Sequence, residues 1–157
     1  LLRRLNGGET TMDITGEHRI AASREAVWHA LFDAETLRAC IPGCQELERT
    51  SPTTFAAKVQ LKIGPVSATF AGTVELLDID APNGCRIVGQ GNGGIAGFAK
   101  GSSEMRLTED GAGTLLTYDA KAEIGGKLAA LGSRLVQATS RKLAAQFFGA
   151  FAGRLTS

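Results

Sequence analysis

Few residues of this 157-residue chain have the type and spacing that catalysis or metal binding requires. Cys40 and Cys44 could be half of a metal site, but Cys85 is far off in sequence and His18 and His29 lie elsewhere. A structural zinc needs four closely arranged ligands, so small buried thiols are the better reading and no metal is expected. There is no Gly-x-Ser-x-Gly elbow and no evident base for the cysteines, so no nucleophile triad can be assembled. Gly89–Gly101 (GQGNGGIAGFAKG) is dense in glycine, yet it lacks the spacing and the strand-turn-helix context of a phosphate loop. It reads instead as two strands joined or bent where side chains must be absent, with Phe98 and Lys100 projecting from a mobile segment. Glu17, Glu75, Glu104 and Glu123 fall on the polar sides of strands. His18 lies on the apolar side of the first strand, where it is either a satisfied core histidine or a hydrogen-bonding partner for a ligand carbonyl or phenol. No catalytic residue and no cofactor is assigned.

The elements that would position these residues follow from hydropathy. Asp13–Ile20 alternates, placing Ile14, Gly16, His18 and Ile20 on one side of a half-buried strand. Ser23 caps a helix that carries Val27, Trp28, Leu31 and Phe32, and Asp33 starts a second short helix, Ala34–Cys40, stopped by Ile41-Pro42-Gly43. Phe55–Ile63 alternates most cleanly, with Phe55, Ala57, Val59, Leu61 and Ile63 on one face. After Gly64-Pro65 a longer strand carries Phe70, Gly72, Val74 and Leu76. Strands around Cys85–Gly89 and Gly101–Leu107 flank the glycine-rich stretch, and Thr114–Ile124 places Leu116, Tyr118, Ala120 and Ile124 on one face. The order is strand, two short helices, about six antiparallel strands and a long helix: an α+β domain with a meander.

The long helix is expected over Lys127–Ser157. Leu131, Leu135, Thr139, Leu143, Phe147, Phe151 and Leu155 recur every fourth residue, so they stack on one face. Steps of four precess by about 40° each at 3.6 residues per turn, as suits a helix running diagonally over a curved sheet, and they leave Phe148 off the stripe. Where such a helix closes over a sheet a cavity can remain, so ligand holding is the first functional expectation. The same segment has five basic residues and no acid. Lys127, Arg134 and Arg141, seven apart, form a stripe that is either the solvated back of a covering helix or the contact for an anionic lipid surface or acidic protein.

Composition bounds the partners. With 17 basic and 16 acidic residues the chain lacks the basic surface of a nucleic-acid binder. No apolar run approaches the roughly 18 residues that span a bilayer, and Leu1–Thr11 lacks the apolar core of a secretory signal. Residues 1–11 are expected to be a disordered leader and residues 12–157 a single domain. Three cysteines make no disulfide framework, so a reducing cytoplasm is the default.

A resemblance is carried by Glu25-Ala-Val-Trp28, Ala39-Cys-Ile-Pro-Gly-Cys44, Lys62-Ile-Gly-Pro-Val-Ser-Ala-Thr-Phe70, Gly93-Gly-Ile-Ala-Gly-Phe-Ala-Lys-Gly101, Gly125-Gly-Lys-Leu-Ala-Ala-Leu-Gly-Ser-Arg-Leu135 and Lys142-Leu-Ala-Ala-Gln-Phe-Phe148. Together they resemble the carbon monoxide dehydrogenase G-subunit family, within the START and polyketide-cyclase-like (SRPBCC) superfamily, from Met12 to about Leu155. The resemblance implies a helix-grip fold: a curved antiparallel sheet of about seven strands around the long C-terminal helix, with two short helices after the first strand. It also implies a non-enzymatic accessory protein that helps recruit or mature a molybdenum hydroxylase, with an apolar ligand in its cavity and peripheral contact at the inner face of the membrane. Some members carry a membrane-anchoring tail; the residues to Ser157 hold none, and an integral anchor is not expected.

The expected ligand is lipid-like or quinone-like. The expected lining is Phe55, Val59, Phe70, Val74, Met105 and Tyr118 from strands and Leu135, Leu143, Phe147 and Phe151 from the helix. Tyr118 and His18 are the polar handles, Phe98 and Lys100 the gate, and Lys127, Arg134 and Arg141 the anionic contact. The alternatives are a cyclase or dehydratase using His18 and Tyr118, and an assembly factor whose cavity is vestigial.

Overall fold

A computed structural model describes residues 2–4 and 10–156. Its frame is one antiparallel sheet of eight strands: β1 (Leu2–Arg4), β2 (Thr10–Ile20), β3 (Cys44–Ser51), β4 (Thr54–Ile63), β5 (Val66–Asp80), β6 (Gly84–Asn92), β7 (Phe98–Asp110) and β8 (Gly113–Gly125). Strands β3 to β8 form a meander, and β2 then pairs with β8, giving the order β1-β2-β8-β7-β6-β5-β4-β3. The chain therefore crosses from one side of the sheet to the other only once, between β2 and β3. The helices α1 (Arg24–Leu31) and α2 (Ala34–Cys40) make that crossing.

Six of the strands are those that hydropathy named, and β3 brings the number to the seven or so expected; the eighth, Leu2–Arg4, pairs with Thr10–Met12 in the stretch expected to be a disordered leader. Main-chain pairing along a sheet edge needs no alternating side chains, so the hydropathy pattern could not announce it. The remainder of that leader, Leu1 and residues 5–9, lies outside the described residues. Strand β3 is equally quiet in sequence. It is a charged edge strand paired only with β4, and its register shifts between Cys44 and Glu46 and again between Arg49 and Ser51.

The glycine-rich stretch holds the ends of β6 and β7 and a single 3-10 turn, Gly94–Ala96. Phe98 pairs with Asn92 and Gly125, and Lys100 with Gln90 and Glu123. The segment expected to be mobile is therefore held in the ladder on both sides. Glycine is required where backbones touch: a Cβ on Gly97, whose φ is +114°, would stand 2.1 Å from the carbonyl oxygen of Gly125.

The long helix is broken once. A short turn, α3 (Lys127–Ala130), is separated from α4 (Ser133–Thr156) by Leu131 and Gly132, the latter at φ +96°. A left-handed residue cannot continue an α-helix, so Lys127 leaves the helical line that Arg134 and Arg141 share along α4.

Two packed clusters hold α4 to the sheet. One joins Ile20, Val27, Trp28, Leu107 and Leu116 to Phe151, with Phe147, Phe148 and Leu155 against it. The other joins Met12, Phe70 and Ile124 to Leu128, Ala129 and Val136. Polar contacts reinforce the first end. The carboxylate of Asp33 accepts from the backbone N–H of Thr36 at 3.1 Å and from its hydroxyl at 2.6 Å, capping α2. Arg154 of α4 then donates to that same hydroxyl oxygen at 3.3 Å.

Phe151 is 0 % exposed, so truncation to alanine opens a void where α4 meets the sheet. Phe151→Ala is expected to lower stability by about 3–5 kcal/mol, read from denaturant unfolding. A loss below about 1 kcal/mol would mean that α4 is not anchored there.

Candidate functional site

Between the two clusters the interior is not filled. A cavity of about 730 Å³ lies between the sheet and α4. Its floor is the middle of the sheet, where inward positions carry almost no side chain: Gly72 pairs with Gly91 and Gly91 with Ala99, and in the adjacent row Gly89 pairs with Gly101 and Gly101 with Ala122. Larger residues rise around it, among them Phe55, Val59 and Leu61 of β4 and Met105 of β7. A Cβ built on Gly91 meets nothing nearer than Phe70 at 3.9 Å, so a side chain there would project into the open volume.

The roof is α4. Two adjacent lines of the helix face inward, Thr139-Leu143-Phe147 and Val136-Ser140-Ala144-Phe148. The strict four-residue stripe captures only the first, because the face that meets the sheet is wider than one row. Leu135, at the start of the stripe, has precessed out and is 36 % exposed against the β4–β5 turn at Gly64. Phe148, left off the stripe, is inward. The far end is closed by Leu31, Phe32, Leu37, Ile41 and Pro42 around the two short helices.

Of the expected lining, Phe55, Val59, Phe70, Val74, Met105, Tyr118, Leu143 and Phe147 border the cavity. Phe151 does not, being enclosed in the anchoring cluster, and Leu135 faces outward. Phe98 and Lys100 share the strand parity opposite to Ala99 and so project from the outer face. There the Phe98 ring covers Gly125 and Lys100 pairs with Glu123 at 3.3 Å. Two grooves on that outer face mix apolar groups with charged and polar ones such as Lys58, Glu46, Gln90 and Lys121, unlike the uncharged wall of the cavity.

His18 sits behind the wall rather than in it. Its ring stacks on Phe148 with centroids 4.0 Å apart and lies 6.2 Å from Tyr118. Burial against these rings lowers its pKa below the ordinary histidine value. Tyr118 reaches across Gly16, where a Cβ would stand 2.5 Å from the tyrosine hydroxyl, so the missing side chain at position 16 makes room for the ring.

The wall carries no charged side chain. Its polar residues are Thr73, Gln90, Ser103, Tyr118, Thr139 and Ser140; Ser140 donates to the carbonyl of Val136 at 2.8 Å within its own helix, and Ser103 donates to the carbonyl of Glu104. Tyr118 is the ionisable group in the wall, and its hydroxyl has no hydrogen bond among the described residues. The thiols are occupied by packing; burial pushes Cys85 up to about 11, with Glu104 nearby acting in the same direction. Among the described residues no three His, Cys, Asp or Glu side chains gather as metal ligands, and no helix is long and apolar enough to cross a membrane.

The arrangement suits a neutral, largely apolar guest with one polar group to meet the Tyr118 hydroxyl. Sequence reading missed the glycine floor and the second helical line. The signal for the floor was present as Gly89-x-Gly91, glycine recurring at strand period opposite an alternating partner strand.

The sequence profile of the carbon monoxide dehydrogenase G-subunit (CoxG) family matches residues 16–156. No curated protein matches the chain. Among solved structures, a conserved protein from Geobacillus kaustophilus superposes with a TM-score of 0.87 at 30 % identity, covering 92 % of this chain and 95 % of that one. A START superfamily protein from Mycobacterium smegmatis gives 0.70 at 17 % identity, covering 92 % and 97 %. An aromatase/cyclase from a Streptomyces species gives 0.66 at 12 % identity, covering 93 % and 94 %. At such identities the last two show the fold alone, which is the helix-grip architecture.

Gly91→Phe is expected to fill the cavity while leaving the fold intact. Binding of a neutral apolar fluorophore such as N-phenyl-1-naphthylamine should fall at least about tenfold with no loss of melting temperature. His18 yields a second expectation. Its folded pKa lies below the unfolded value near 6.5, so the unfolded chain takes up the proton first as pH falls. Stability from the His18–Phe148 stack should be complete above that value and decline through the folded pKa. His18→Phe should flatten the pH dependence of unfolding between about pH 7 and 5; an unchanged slope would remove histidine from that account.

Proposed function

The chain belongs to the carbon monoxide dehydrogenase G-subunit family, and from that premise we propose that it is a non-enzymatic carrier whose cavity holds a lipid-like or quinone-like molecule. The observation that carries this reading is the wall itself: about 730 Å³ bounded by glycine, alanine, aliphatic and aromatic groups, with no charge. Such a site binds by removing apolar surface from water, worth about 25 cal/mol per Å² buried, and orients its guest through a few polar contacts. Tyr118 supplies the contact, its hydroxyl meeting a carbonyl or hydroxyl of the ligand.

Cyclisation or dehydration inside the cavity would need a converging acid and base. Here the wall offers Tyr118, while His18 is stacked behind Phe148. This is the ground for preferring holding over chemistry. In the same reading the protein serves a molybdenum hydroxylase, docking to that enzyme through the cationic back of α4, where Arg134 and Arg141 lie two turns apart and exposed.

Native mass spectrometry of the purified protein, with organic extraction of what it carries, tests the carrier. The expected result is a bound neutral apolar molecule that is lost from Gly91→Phe and retained more weakly by Tyr118→Phe. Recovery of nothing from the wild type, together with failure to bind the neutral fluorophore, would overturn it. Co-purification with the molybdenum hydroxylase should weaken as salt rises if α4 docks electrostatically.

A further inference from the structure

Two aromatic rings of the cavity wall lie over glycines that are not themselves part of that wall. Tyr118 of β8 pairs across the sheet with Gly16 of β2 on one side and with Met105 of β7 on the other. Its ring leans to the glycine, where a Cβ would stand 2.5 Å from Oη, 2.6 Å from Cζ and 2.7 Å from Cε2. Phe70 of β5, in the other packed cluster, does the same at Gly93. A Cβ there would stand 2.5 Å from Cε1 and 2.8 Å from Cδ1 of its ring.

Neither backbone asks for glycine. At Gly93 φ is −109°, and Gly16 lies outside the left-handed region in an unbroken register with β8. Gly97 differs, being wedged against main chain at φ +114°. At positions 16 and 93 the three nearest atoms all belong to the ring, so the ring is what keeps a side chain out.

A ring end is also the part that yields most readily, by turning between staggered side-chain positions. A larger residue at 16 would close the β2 side to Tyr118, while Phe148 stands near-parallel at 5.7 Å on the helix side. The ring then turns towards Met105 and into the open volume. Phe70, displaced from Gly93, turns over the floor at Gly91, which is open above its backbone.

We infer that Gly16 and Gly93 are positioning residues that set the upper size of the guest, each by holding one cavity ring aside against the sheet. Small residues at these two positions keep the interior hollow, and larger ones fill it with the protein's own aromatic groups. The inference deepens the carrier reading and rests on it for its purpose, but not for its measurement.

The test compares a broad and a slim neutral probe, N-phenyl-1-naphthylamine and naphthalene. Gly16→Val and Gly93→Val are each expected to weaken the broad probe at least about tenfold, through the apolar contact it loses. Both should bind naphthalene within about twofold of the wild type, which shows the fold intact. In a Tyr118→Ala background, where no ring remains to be displaced, adding Gly16→Val should have no further effect on the broad probe. Wild-type binding of the broad probe by either valine variant, loss of both probes together, or an undiminished effect of Gly16→Val without the Tyr118 ring would each overturn the inference. Recovery of no natural ligand, with the two probes behaving as expected, would sink the carrier and leave the role of the glycines standing.

Discussion

Helix α4 is fixed at both ends and left unsupported in the middle, and the rest of the molecule follows from that constraint. At one end Phe147, Phe148, Phe151 and Leu155 pack into the cluster built on Ile20, Trp28 and Leu116. At the other, Val136 joins Leu128, Phe70 and Ile124. Between them the sheet presents Gly72, Gly91, Ala99 and Ala122, side chains too short to reach the helix. A packed interior gains dispersion contacts everywhere, and this one gives them up over its centre. Stability is therefore concentrated in the two clusters and in the sheet ladders, and the open centre is available to a guest.

That division also orders the chemistry. Charged side chains are sent to the outer face and the helix back, where water solvates them, as with Lys100–Glu123 and Lys58–Glu46. Of the hydroxyls at the cavity, those of Ser140 and Ser103 are bonded to main-chain carbonyls of their own elements. Tyr118 carries the ring among them, and Gly16 is what lets that ring lie where it does. His18 stacks on Phe148, where burial lowers its pKa, and it packs against the helix rather than lining the cavity. An interior of this kind discriminates guests by shape and polarity.

Individual elements show how far the chain could be read in advance. The alternations of Asp13–Ile20, Phe55–Ile63 and Thr114–Ile124 named three strands and their inward faces, and β2, β4 and β8 contain them. Ser23 and Asp33 were legible as caps, and both side chains accept the expected backbone N–H. Strand β3 was not legible, because an edge strand paired on one side tolerates charge on both faces. Nor was the pairing of Phe98 and Lys100, since glycine-rich strands carry no hydropathy signal although their backbones bond as well as any.

The sequence by itself determined the α+β order, the inward parity of most strands, the family and the apolar character of one helical face. These depend on local periodicity and composition, which each segment carries with it. Tertiary structure alone decided which rows of α4 face the sheet, why Leu135 is outside and Phe148 inside, and where Gly132 divides the helix. It also decided that Gly91 opens onto empty volume while Gly97 is wedged against Gly125. Both are glycines in one stretch, and only the partner that stands opposite each backbone separates a cavity floor from a packing contact.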